Sequence, residues 1–153
     1  MVRLTDLHAA SRARLAEIEC PSYEKRPWVE PPPLAKSRIA IISSAALIRR
    51  GDPVFHPSDA GWREVPHALP DSDVLISHVS INFDRTGLQQ DLEVALPRRH
   101  LDRLAKDGVI GSVSPTHYTF MGSNDPKLLN DTASQIASRL KADRVDAAIL
   151  VPV

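Results

Sequence analysis

The 153-residue chain has the length of one ordinary domain, enough to bury a core without a covalent staple. Its 19 lysines and arginines balance 19 aspartates and glutamates, which removes the long-range field that gathers nucleic acid or an anionic membrane surface. The single cysteine, Cys20, excludes an internal disulfide and fits a reducing, cytoplasmic setting, and no run approaches the ~20 apolar residues that span a bilayer.

In chain order, Leu4, Leu7, Leu15 and Ile18 keep one helical face apolar and predict an amphipathic helix with Thr5 as its N-cap. Between Cys20 and Pro33 the prolines at 21, 27, 31, 32 and 33 remove backbone donors and block helix, so this stretch is expected to be an extended connector, with Trp28 anchoring it to the surface. Residues 1–36 thus form a helix and a Pro-rich arm, and residues 37–153 an α/β domain. Four short β-branched runs follow in that domain: Arg38 to Ser43, Val74 to Ser80, Val109 to Val113 and Val145 to Val151. Each reads as a buried strand. A helix is predicted over Arg98 to Lys106, with Gly108 as its left-handed stop. A longer one starts at Asp125 as cap and Pro126 as first residue, and Leu129, Ala133, Ile136 and Leu140 form its stripe. The alternation predicts a mostly parallel four-stranded sheet with helices on both faces, a Rossmann-like arrangement.

In such sheets ligands collect beyond the carboxyl ends of the strands. Residues in those stretches include Ser44, the loop GDPVFHP from Gly51, Ser77-His78 with Asn82, Phe83, Asp84 and Asp91 behind it, and THYTFMG from Thr116. His78 and His117 are candidate acid/base groups or ligands, or else imidazoles that satisfy backbone near a strand end. Asp84 and Asp91 are candidates for binding an ammonium or orienting a histidine, or helix caps. Arg98, Arg99 and Arg103 read as a solvated helix face, with Arg99 able to reach an anion; His8, His67 and His100 read as solvated. A metal site from His56, His78 and His117 lacks any HxH or HExxH pairing, and none is expected. No GxGxxG, GxxxxGK[ST] or GxSxG occurs, and Cys20 has no electropositive neighbourhood to make it a nucleophile.

Three segments in order, GDPVFHP at Gly51, SHVSINFDRTGLQQDLEVALPRRHLDRLAKDGVIGSVSPTHYTFMGS from Ser77 to Ser123, and the terminal DRVDAAILVPV, give the chain a family likeness. From about Arg38 to Val153 it resembles the selenoprotein B family of glycine, sarcosine, betaine and D-proline reductases. The resemblance implies an oxidoreductase that reductively cleaves a carbon–nitrogen bond of an amino acid, with a dithiol/disulfide couple as electron source. It further implies partner reductase subunits, a thiol donor, a pyruvoyl group on a partner subunit, and a selenocysteine or cysteine just after the strand that ends at Val151. The chain is then the first part of a larger subunit, and a UGA codon read as a stop after Val153 is the expected cause. On this reading His78 and His117 line the catalytic wall, while Asp84, Tyr118 and Ser44 bind substrate. A noncatalytic small-molecule-binding or subunit-docking domain, and a histidine-based metal enzyme, are the alternatives.

Overall fold

A computed structural model describes residues 3–19, 22, 24, 28–80 and 83–153; Cys20, Pro21, Pro27 and Asn82 lie outside that set. At its centre runs β1 (Arg38–Ser43), the predicted RIAIIS strand. The last strand, β7 (Ala147–Val151), pairs with it in parallel from Ile39↔Ala147 to Ser43↔Val151. Along its other edge lie two short parallel pieces, β5 (Ser112–Val113) and β6 (Thr116–Phe120). Pro115, which has no N–H to donate, falls between them. The register slips by two residues there, from Ile39↔Val113 to Ile42↔Tyr118. Strand β3 (Trp62–Pro66) closes the sheet antiparallel to β6.

The predicted second strand is corrected in length and in partner. Only Val74–Ile76 is strand (β4), and it pairs antiparallel with β2 (Leu47–Arg49) in a separate ribbon. The cause is a sharp turn after β1, where Ala46 takes φ +51° and the chain leaves the parallel sheet. The strand ends at Ile76; Ser77 N still donates to Ala46 O (3.0 Å), and beyond it the Ser77 hydroxyl accepts from Phe55 N and His78 Nδ1 from Ser80 N. The third predicted run is corrected likewise. Gly108 is left-handed at φ +71°, and Val109 N and Ile110 N both return to Leu104 O, so these residues finish a helix and the strand begins only at Ser112. THYTF, expected beyond the end of that strand, is β6 itself.

Helix α1 (Ala9–Ala16) is capped by His8, not Thr5, and buries no residue; Trp28 is 75% exposed, where an anchored ring was expected. The short α2 spans Thr86–Gln90, and α3 covers the predicted Arg98–Lys106. Before α4 (Asn130–Ala142), Asp125 Oδ1 accepts from Lys127 N and Pro126 opens a single 3-10 turn. Ile39 and Ile41 project to one face and join Leu96, Leu101 and Ile110 in the main core. Fully burying a side chain such as Ile41 is worth roughly 1.5–3 kcal/mol. Ile42 points the other way. With Phe120, Leu150 and the α4 residues Ala133 and Ile136 it lines an apolar groove of about 520 Å³. No helix among the described residues is long and apolar enough to cross a membrane.

Candidate functional site

The carboxyl ends of β1, β6 and β7 meet at one place. Ser44 N donates to Val151 O (3.1 Å), Gly122 N donates to Ser44 O (3.1 Å), and Ala46 N donates to Phe120 O (3.1 Å). A side chain at position 122 would meet this junction: a Cβ there would stand 2.6 Å from Ser44 Cβ, so glycine is what allows the close approach. The Ser44 hydroxyl accepts from Val153 N at 2.9 Å, which fixes where the chain goes as it leaves β7.

Beside this junction the exit from β4 completes a cleft of about 380 Å³, lined by His78, Phe83 and Asp84 on one side and Gly122, Ser123 and Val153 on the other. The His78 ring is nearly buried. Because its Nδ1 accepts from Ser80 N (3.2 Å), a neutral ring carries its proton on Nε2. Phe83 lies against it, with ring centroids 4.3 Å apart. Burial, and then the charge of Arg85, push the His78 pKa below the ordinary histidine value. Asp84 is exposed, and its Oδ1 accepts from Thr86 N at 2.9 Å, which lowers the carboxyl's pKa; the N-cap of α2 is Arg85, without a side-chain cap. The Asp84 carboxylate thus meets Thr86 and borders the cleft at once.

His117 and Tyr118 do not join this cleft. Both lie within β6, at 0% and 1% exposure, where a loop at the rim was expected. His117 Nδ1 accepts from Ile41 N (3.2 Å), so its proton sits on Nε2, which donates to His67 Nδ1 (3.0 Å). His67 Nε2 then donates to Asp102 Oδ1 at 2.9 Å. Five residues of strand, roughly 16 Å, separate His117 from Gly122. Burial, His67 and Arg98 lower the His117 pKa to about 3. Tyr118 sits edge-on to Trp62 with centroids 5.5 Å apart, and burial raises its pKa to about 12.

Two residues read as solvated have structural partners instead. His67 is the middle of the ring network above. Arg98 is 4% exposed, because its guanidinium donates to Pro66 O, His67 O and Leu69 O and pairs with Asp71, tying α3 to the loop after β3. Arg99 does reach anions, at Asp91 (2.9 Å) and Asp71 (3.4 Å). Asp91 also accepts from Glu93 N (3.0 Å), a cap as well as an ion-pair partner. Arg85 carries no sequence signal that would have singled it out, yet it sits directly behind the cleft. Among the described residues no three His, Cys, Asp or Glu side chains stand together as a metal site.

The sequence profile of the glycine/sarcosine/betaine reductase selenoprotein B family matches residues 15–153. The chain is 27% identical over 133 residues to a D-proline reductase subunit gamma of Acetoanaerobium sticklandii, which covers 80% of this chain and 54% of that protein. It is 30% identical over 142 residues to a glycine reductase complex component B subunit gamma of Symbiobacterium thermophilum, covering 88% of this chain and 33% of that one. The chain therefore spans about half and a third of the lengths of these relatives. No solved structure matches it. On the match over most of its length, the chain belongs to the glycine/sarcosine/betaine reductase selenoprotein B family.

Proposed function

We propose that the chain is part of an amino-acid reductase, and that the cleft at the ends of β1, β6 and β7 binds a small amino acid of the glycine, sarcosine, betaine or D-proline class. The observation that carries this reading is the convergence of Val153, His78, Phe83 and Asp84 on one cleft. The reaction is a two-electron reduction. A dithiol gives up two electrons and two protons and becomes a disulfide, while the substrate's C–N bond is replaced by one C–H and one N–H bond.

Within the cleft, Asp84 offers its exposed carboxylate to the substrate's cationic nitrogen, and Phe83 contributes apolar wall. His78 Nε2–H donates to the substrate carboxylate or to the departing nitrogen. Ser44, by holding Val153 N, orients the backbone that follows β7 along the cleft wall. A selenocysteine or cysteine beyond Val153 would supply a soft nucleophile that is readily ionised, and a pyruvoyl group on a partner subunit would activate the nitrogen. His117 and Tyr118 take no chemical part. A cytoplasmic location and a partner-borne thiol donor belong to the same proposal.

The test is thiol-dependent amine release, or opening of the D-proline ring, by the assembled complex carrying the full polypeptide. His78→Ala is expected to lower kcat/KM by about 100-fold or more, and Asp84→Asn to act mainly on KM. Wild-type kinetics in both variants would remove the cleft from the chemistry.

A further inference from the structure

One side chain, Arg85, donates to three backbone carbonyls beside the cleft. Arg85 Nη2 donates to His78 O (2.6 Å) and Ser80 O (3.3 Å), and Nη1 donates to Phe83 O (3.1 Å). Its guanidinium carbon lies 5.3 Å from the Phe83 ring centroid. Arg85, Phe83 and His78 therefore form a stack whose last member is the imidazole in the cleft. A planar fork with five donors can satisfy three carbonyls that curve around it, which a lysine ammonium on a flexible stem does far less rigidly. No carboxylate accepts from Arg85 among the described residues, so its charge is spent on backbone dipoles and on the field at His78.

We propose that Arg85 is the positioning residue of the cleft: it gathers the His78, Ser80 and Phe83 carbonyls around its guanidinium and so holds the His78 ring with Nδ1 on Ser80 N and Nε2–H as its donor edge. The inference builds on the reading of the cleft as a substrate site and names what sets the donor in it. The geometry accounts for two features together. A ring locked at Nδ1 has one tautomer, and a cation behind it opposes a second proton. The charged or titratable side chains at His78 are Arg85 behind the ring and Asp84, which lines the same cleft. With its Nδ1 taken and no other partner at Nε2 among the described residues, His78 has one polar edge to offer a ligand.

The experiment is a long-range proton–nitrogen NMR titration of the full chain, which reads tautomer and titration midpoint for each histidine. In the wild-type protein His78 shows the Nε2–H tautomer and titrates below the ordinary value of 6.5. Arg85→Met is expected to raise that midpoint and to mix the tautomers. Arg85→Lys keeps the charge and loses the fork, so the midpoint stays low while the tautomers mix. An Arg85→Met protein that is folded by circular dichroism and retains both midpoint and tautomer overturns the proposal. Should Arg85→Met fail to fold, Arg85→Lys alone decides, since a single retained tautomer there overturns it. Activity separates the two layers. A His78 that responds to Arg85, in a complex whose His78→Ala variant still reduces substrate normally, leaves the clamp standing and removes the substrate-site reading.

Discussion

At His117, burial and the neighbouring His67 and Arg98 hold the imidazole neutral down to about pH 3, against 6.5 for a free histidine. Between those values the unfolded chain takes up a proton that the folded chain refuses. Stability is therefore unaffected by this residue above pH 6.5 and falls as the pH drops from 6.5 toward 3. One proton sets the slope at no more than about 1.4 kcal/mol per pH unit. Urea unfolding at a series of pH values should show His117→Gln losing stability less steeply than wild type across that window. Parallel curves would mean that His117 titrates normally. No local signal predicts this burial, because a histidine between two threonines and a tyrosine reads as a polar rim residue. The ring is tolerated inside only because Ile41 N, from the central strand, and His67, fifty residues away in sequence, satisfy both of its nitrogens.

At the scale of the elements, what is legible in the sequence is what local chemistry decides. The limits of β1 and α3, and the Asp125–Pro126 helix start, follow from β-branching, capping and the left-handed Gly108. Pairing partners are not local. The β-branched residues of Val74–Ile76 announce a strand but not that a turn at Ala46 sends β2 to meet it in a separate ribbon. Arg98 shows the same limit on a helix, since its burial is set by three carbonyls of the loop after β3. Three glycines distinguish backbone from packing demands. Gly108→Ala should cost about 1 kcal/mol from its positive φ alone, since a Cβ there meets nothing within 4 Å. Gly111→Ala should cost more, because its Cβ would come within 2.5 Å of the Lys36 carbonyl carbon and force the chain before β1 to move. In α2, Gly87→Ala meets nothing and should be neutral or stabilising by up to about 1 kcal/mol. Thermal unfolding of the three variants checks the order.

For the whole molecule, β7 is a strand as its sequence suggests, but its burial departs from that reading. Its run AAILV reads as a strand buried on both faces, yet Leu150 is 70% exposed and Ile149 39% exposed, and β7 pairs only with β1 among the described residues. An apolar edge of this kind templates association with other chains. Leu150→Lys is expected to suppress concentration-dependent association of the purified chain in sedimentation experiments; unchanged association would locate the contact elsewhere. The formal net charge of zero adds no repulsion to oppose such association. The same strand, through Ser44 and Val153, carries its carboxyl end to the cleft with His78, Phe83 and Asp84, and the functional reading depends on that placement.

The most direct test of that placement attaches a nitroxide to Val153→Cys in a Cys20→Ser background and reads paramagnetic broadening of the full chain by NMR. Broadening centred on His78, Phe83 and Gly122, with His67, His100 and Asp102 sharp, is the predicted result. Broadening at His67 and Asp102 with sharp His78 signals would contradict it.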